Sequence, residues 1–346
     1  MTGEPTDEPT AEPTGEPTGE LARAVIGGDR RALAWAITLV ESVREDHRAR
    51  ALALLAALAA HPGRARRIGV SGAPGVGKST LVEALGRVVT AAGHRLAVLA
   101  VDPSSPRSGG SILGDKTRMV GLAADPAAFV RPSPSGASTG GVARRTREAM
   151  MVCEAAGFDV VVVETLGAGQ SDTAVASMVD LFVLLVAAGP GDDLQGVKRG
   201  PTELADVVVV TKADGASAPA AGATASQYRQ ALTLLAPRHV EWAPGVLVCS
   251  ALTGHGVAEV WAHILARHEA LAASGTLVRL REDQRGAALR SELTDQLLDR
   301  LRSHRGAAAR LAEVEPLVVA GRLSPGAAAA RVLSSFCPAS CPASDG

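Results

Sequence analysis

The chain has 346 residues, 47% of them apolar, so a sizeable core can form; only eight are Phe, Trp or Tyr, and that core must be built from Ala, Val and Leu. Thirty-five Lys and Arg against 36 Asp and Glu leave a net charge of −1, which gives no long-range pull toward nucleic acid or an anionic membrane. No apolar run reaches the ~18 residues of a membrane span and no N-terminal stretch resembles a signal peptide, so a cytoplasmic chain is expected, without nucleic-acid or membrane partners.

Residues 4–19 repeat a Glu-Pro-Thr unit. Regular prolines and almost no apolar side chain cannot make a core, so residues 1–20 are expected to be a disordered tail. Residues 21–63 read as a helical segment. Asp29 can cap a helix in which Leu33, Ala36, Ile37 and Val40 fall on one face, and a second helix follows until His61-Pro62-Gly63 stops it. From residue 64 to 270 short Val- and Leu-rich runs recur: "RIGVSG", "RLAVLAVD", "DVVVVE", "LFVLLVAA", "DVVVVT" and "GVLVCS". They show little polar alternation, as strands buried on both faces do, and helical stretches separate most of them. The pattern predicts an α/β fold with a mainly parallel sheet flanked by helices, whose ligands sit at the carboxyl ends of the strands. Residues 271–335 return to helix, suited either to a dimerising arm or to packing on the parent domain, and 336–346 read as a second disordered tail. Cys153 and Cys249 fall in apolar contexts and read as buried thiols, whereas Cys337 and Cys341 lie in the tail without a second ligand pair for zinc.

The run Gly72-Ala73-Pro74-Gly75-Val76-Gly77-Lys78-Ser79, followed by Thr80, matches G-x4-G-K-[ST] between a strand and a helix. Small residues let successive N–H groups face phosphates, and the helix N-terminus adds positive potential. Lys78 can neutralise the β/γ oxygens, and Ser79 can offer a hydroxyl to Mg²⁺. Three acids can add hard oxygen ligands: Asp102 after "LAVLAV", Asp115 in the loop "GGSILGDKTRM", and Glu164 at the head of "ETLG". In that stretch Gly167 can present its N–H to a γ-phosphate. A second glycine-flanked loop, Gly191 to Arg199, carries Asp192, Asp193, Gln195 and Lys198. Glycine flanks suit a segment that reorders with the γ-phosphate.

"VVVVTKADGA", residues 207–216, has the form of a guanine-reading Asn-Lys-x-Asp with Thr211 in the first place. Asp214 can accept from both guanine N1–H and the N2 amine, and adenine has no N1 donor. Lys212 can lay its stem along the purine, and Ser250-Ala251-Leu252 can bring a backbone N–H to O6. The missing asparagine removes a carboxamide that ties this loop to the phosphate loop and touches the base, but the Thr211 hydroxyl can replace one of those bonds.

These motifs, in this order and with "FVRPSPSGASTGGVARRTREAM" and "SALTGHG", resemble the MeaB/ArgK/MMAA group of P-loop GTPases over residues 21–335. The resemblance implies a G domain with N- and C-terminal helical segments, a homodimer through the C-terminal arm, and Mg²⁺-dependent GTP hydrolysis. It also implies a partner, an adenosylcobalamin-dependent acyl-CoA mutase such as methylmalonyl-CoA mutase, whose cofactor loading, protection or reactivation is gated by the nucleotide. It places metal and switch roles on Ser79, Asp102, Asp115 and Glu164, a mutase-responsive loop on Gly191–Arg199, and accelerated hydrolysis on Lys198. The chain departs from the group in "ETLGAGQSD" for "ETVGVGQSE", in Asp193 for glutamate and in Thr211 for asparagine. Ala168, not glutamine, follows Gly167, so slow intrinsic turnover is expected, with Lys198 or Arg199 meeting the developing charge when a partner reorders the loop. Two rival readings are an ATP-using phosphotransferase or transport-associated ATPase, against which Asp214 argues, and a nickel-inserting GTPase, against which eight unclustered histidines argue.

Overall fold

The computed structural model describes residues 18–61, 63–101, 119–133, 139–165, 167, 170–188, 199–234, 242 and 244–336. Asp102, Asp115, Ala168, Gly191, Asp192, Asp193, Gln195, Lys198, Cys337 and Cys341 lie outside them. The chain divides into two compact units, residues 1–282 and 283–346.

The first unit is built on seven strands: β1 (Arg66–Gly72), β2 (Leu96–Val101), β3 (Ala128–Ser133), β4 (Val160–Thr165), β5 (Leu181–Ala187), β6 (Val207–Thr211) and β7 (Gly245–Val248). All six pairings are parallel, in the order β3-β2-β4-β1-β5-β6-β7. The carboxyl ends of β1, β4 and β6 therefore open on one edge, and the nucleotide motifs follow them.

Alternation along the strands divides the core. Val161, Val163, Ala97, Leu99 and Phe182 face α1 (Thr18–Ile26), α2 (Arg30–Glu41), α3 (Glu45–Ala59) and α6 (Thr139–Ala155). Val160, Val162, Ile68, Val70, Val183 and Val207 take the other face, with α4 (Lys78–Ala91) and α10 (Val257–Ala273). Between α4 and α6 lies the short α5 (Val120–Ala124); α7 (Gln170–Ala176), α8 (Arg199–Leu204) and α9 (Ala218–Thr233) separate the later strands. Asp29 caps α2 by accepting from the Arg31 and Ala32 amides, each at 2.8 Å, and Leu33, Ala36, Ile37 and Val40 are buried.

The structure adds four details to the sequence expectations. The six apolar runs omit β3, which carries Arg131 and Pro132 on its six residues. It is an edge strand, where proline costs no ladder bond, and the N-terminal helices cover it: Arg131 bonds Glu41 and Thr38, and Arg30 bonds the Ala128 carbonyl. At the opposite edge β7 is half-buried throughout, not buried on both faces. The boundary expected at residue 270 falls inside α10, because Leu271 is buried in the same cluster as Trp261 and Ile264. Helix α1 also begins at Thr18, inside the stretch expected to be tail.

The second unit holds most of α11 (Thr276–Ser303) with α12 (Arg305–Val319) and α13 (Pro325–Phe336). Helices α12 and α13 pack on each other through Ala307, Val314, Ala328 and Val332. His304 caps α12 by accepting from the Ala307 amide.

A buried charge cluster fastens the amino-terminal edge of the sheet. Asp180, fully buried before β5, accepts from Arg281 Nε at 2.9 Å, Arg281 Nη2 at 2.7 Å and the Arg67 amide at 2.9 Å. His268 Nε2 lies 3.5 Å away, and Arg281 Nη2 also reaches the Ala65 carbonyl at 2.6 Å. Burial pushes the Asp180 carboxyl up, but the bonds from His268, Arg281 and Arg67 outweigh it and hold it at about 2. A folded-state value below the ordinary 3.8 means the carboxylate stabilises the fold fully above pH 3.8 and loses that contribution as pH falls toward about 2. Asp180→Asn is expected to cost about 3 kcal/mol in denaturant unfolding at pH 7, because it strands Arg281. The gap between variant and parent should narrow as pH falls below 4.

Candidate functional site

A cleft of about 720 Å³ opens at the carboxyl edge, lined by Gly75, Gly77, Lys78, Ser79, Glu164 and Lys212 among others. That volume is in the range of small-ligand sites, roughly 300–1,000 Å³. Its floor is the phosphate loop. Lys78, the first residue of α4, is buried, with Nζ on the Gly72 carbonyl at 2.8 Å and the Ala73 carbonyl at 3.0 Å. Ser79 donates its hydroxyl to Glu164 Oε1 at 2.8 Å, so two of the four expected metal ligands meet, one from the first turn of α4 and one from β4. Among the described residues no group of three or more His, Cys, Asp or Glu is gathered.

Gly167 sits against this loop. Its φ is +78°, and a Cβ there would stand 1.9 Å from the Gly72 carbonyl oxygen. Both the left-handed backbone and the close approach require glycine. The contact sets Gly167, two residues after β4, directly on the carbonyl that Lys78 grips.

Strand β6 supplies the other wall. Thr211 is buried, and its hydroxyl donates to the Val76 carbonyl at 2.7 Å, with the Val186 carbonyl at 3.2 Å. The threonine thus makes the tie to the phosphate loop that the asparagine carboxamide was expected to provide. Lys212 Nζ reaches the Gly75 carbonyl at 2.7 Å, and Lys212 alone among the described non-glycine residues has positive φ, +58°. A bulky side chain held there is a mark of functional strain.

Asp214 is half-buried and accepts the Ser250 hydroxyl on Oδ2 at 2.5 Å. Sequence reasoning gave Ser250 a backbone role alone. Its N–H is instead bonded to the His255 carbonyl at 2.8 Å, and its hydroxyl orients the carboxylate. Ala251 is half-buried beside it, while Leu252 is 83% exposed, so its side chain takes no part in forming the wall. Arg199, expected in a loop, is the first residue of α8.

One cluster had no assigned role. The Asp172 carboxylate, buried in α7, accepts the Ser71 hydroxyl at 2.6 Å and the Thr165 hydroxyl at 2.7 Å, both on Oδ1. Ser71 precedes the phosphate loop and Thr165 follows Glu164. The only sequence sign was a polar residue inside each of two apolar strands. Cys153 and Cys249 are fully buried, and burial raises both thiols, Cys249 to about 11, so neither is ionised near neutrality.

The sequence model of the family described as "Methylmalonyl Co-A mutase-associated GTPase MeaB" matches residues 33–306. A Caulobacter vibrioides protein named as a GTPase is 51% identical over 316 residues, covering 91% of this chain and 97% of that protein. The Escherichia coli GTPase ArgK is 49% identical over 79% of this chain and 83% of its own length. The mouse methylmalonic aciduria type A homolog, a mitochondrial protein, is 43% identical over 91% of this chain and 79% of its own. The crystal structure of a LAO/AO transport system kinase superposes with a TM-score of 0.73 at 38% identity, covering 92% of this chain and 97% of that one. A family match over most of the chain, and relatives at about half identity over nearly its full length, agree with the phosphate loop and the base-reading strand. The chain is a P-loop GTPase and belongs to the MeaB family.

Proposed function

We propose that this GTPase is a chaperone of an adenosylcobalamin-dependent acyl-CoA mutase, methylmalonyl-CoA mutase in the first instance, and that conversion of GTP to GDP and phosphate gates loading, protection or reactivation of the mutase's cofactor. The nucleotide half of this reading is carried by one observation, the Asp214 carboxylate held by the Ser250 hydroxyl beside a phosphate loop. The mutase half is supported by membership of a family described as mutase-associated.

In this reading Asp214 accepts from guanine N1–H and N2, the Lys212 stem covers the purine, and the Ala251 N–H meets O6. Free N–H groups of the loop between Gly72 and Thr80 receive the phosphates, Lys78 neutralises the β/γ oxygens, and Gly167 offers its N–H to the γ-phosphate. Ser79 and Glu164 fit Mg²⁺, since they present hard oxygens 2.8 Å apart at the cleft floor. Asp102 and Asp115 are the further proposed ligands. When bound, Mg²⁺ supplies charge neutralisation on the β- and γ-phosphate oxygens. With Ala168 after Gly167, no side chain there orients the attacking water. The mutase would reorder Gly191–Arg199 so that Lys198 or Arg199 meets the developing charge.

A homodimer through the 271–335 arm and a place in the cytoplasm complete the proposal. The arm reading is supported by Leu289, Leu293 and Leu297 on α11, exposed by 61, 54 and 56%. Their spacing of four makes one apolar row on the helix. Among the described residues no helix is long and apolar enough to cross a membrane.

Single-turnover GTP hydrolysis should accelerate at least about tenfold when methylmalonyl-CoA mutase is added, as a supplied cation warrants; an unchanged rate with every such mutase tried would refute the chaperone reading. For Thr211, loss of the tether in Thr211→Val is expected to weaken GTP about fivefold, the worth of one buried hydrogen bond. Thr211→Asn should tighten it by about two- to fivefold through the added base contact. Equilibrium titration with a fluorescent guanine nucleotide reads both; equal affinities across the three proteins would remove Thr211 from the site.

A further inference from the structure

The buried carboxylate of Asp172 is used by none of the steps above, yet it stands where the moving parts meet. Its Oδ1 receives the hydroxyls of Ser71 and Thr165. All three side chains are closed to solvent, at 3% exposure for Asp172, 0% for Ser71 and 1% for Thr165. A buried carboxylate that gathers hydroxyls from two strands is a costly arrangement to disturb, because a dry site offers no water to replace either donor.

The placement of the two donors gives the arrangement its meaning. The β1–β4 register pairs Val70 with Glu164, so the next residues, Ser71 and Thr165, arrive at the same level. One step further along each strand the chain becomes functional machinery. After Ser71 comes Gly72, whose carbonyl holds Lys78 and receives Gly167. Before Thr165 comes Glu164, which holds Ser79. Asp172 itself is on α7, and α7 packs on α8, Arg199–Leu204. Helix α8 presents Glu203 to solvent. A displacement of Gly167 would be passed along the chain to Thr165, and through the shared carboxylate to α7, which packs on α8.

We infer that Asp172 is a positioning residue that couples the phosphate end of the cleft to the surface helix α8. The Ser71–Asp172–Thr165 bridge makes the phosphate-loop root, the switch segment and α7 one mechanical unit. This rests on the proposed reading that the cleft responds to the γ-phosphate, and it adds the route by which that response reaches the surface.

The test is backbone hydrogen exchange on the full chain, bound in turn to GDP and to a non-hydrolysable GTP analogue, read at residues 199–204. The parent should show a nucleotide-dependent difference there. Ser71→Ala and Thr165→Val should each shrink it at least about threefold, in line with coupling changes along a connected network. Thr165→Ser, which keeps the hydroxyl, should retain it. The double variant should lose no more than the larger single loss, because both act through one carboxylate. A melting curve accompanies each variant, and the Thr165→Val against Thr165→Ser comparison serves if Ser71→Ala does not fold. An unchanged difference in Ser71→Ala and Thr165→Val would overturn the inference, as would a parent with no difference at 199–204. No mutase enters this readout, so failure of mutase stimulation would sink the chaperone reading and leave this coupling standing.

Discussion

The hydroxyl of Thr211 donates to the carbonyl of Val76, and by that bond β6, the strand proposed to read the base, is fixed to the phosphate loop. The two are not neighbours: β5 lies between β1 and β6. Thr211 spans the gap by also reaching the Val186 carbonyl on β5, so the ends of β5 and β6 are tied to the phosphate loop. Lys212 repeats the tie one residue on, through the Gly75 carbonyl. A purine and its phosphates are joined through the ribose in one ligand. A site that binds both ends must set its own two ends at a fixed separation, and these bonds set it. The Asn-Lys-x-Asp motif would place an asparagine here; in this chain a shorter, stiffer β-branched side chain makes the tie.

Two buried carboxylates divide the remaining work between the ends of the sheet. At the amino-terminal edge Asp180 gathers Arg281, His268 and the Arg67 amide, which fastens the root of α11 to β1 and β5. Nothing there touches the cleft, and its contribution is to stability. At the carboxyl edge Asp172 gathers two hydroxyls from the strands that lead into the phosphate loop and the switch segment. The first is held by the full positive charge of Arg281, which grips it through two nitrogens, and so resists change. The second is held by neutral donors, in a segment whose neighbour Gly167 rests on the phosphate loop, which suits a part that has to shift.

Much of this was legible in the chain. The phosphate loop is contiguous, so its residues announce their role without knowledge of the fold, and the runs of valine in β4 and β6 could only be buried strands. The edge strand β3 was hidden because its arginine and proline suit a covered edge and break the apolar run. Helix α10 runs past residue 270 because Leu271 stays in the core, and α11 begins almost at once. The Ser250–Asp214 contact joins residues 36 apart and the Ser71–Asp172 contact residues 101 apart. No local pattern encodes either pairing; each exists only once parallel strands have brought their ends together. The motifs thus named the nucleotide, while the side chains that orient them came from the fold.

The account stands most directly on Asp214 as the group that reads guanine. Displacement of a fluorescent guanine nucleotide by GTP and by ATP, in the parent and in Asp214→Asn, tests it. The parent should yield to GTP and resist ATP. Asp214→Asn should weaken GTP by about 100-fold, the worth of two charge-assisted hydrogen bonds, and leave ATP where it was. GTP affinity undiminished in Asp214→Asn, or a parent from which ATP competes as well as GTP, would contradict it.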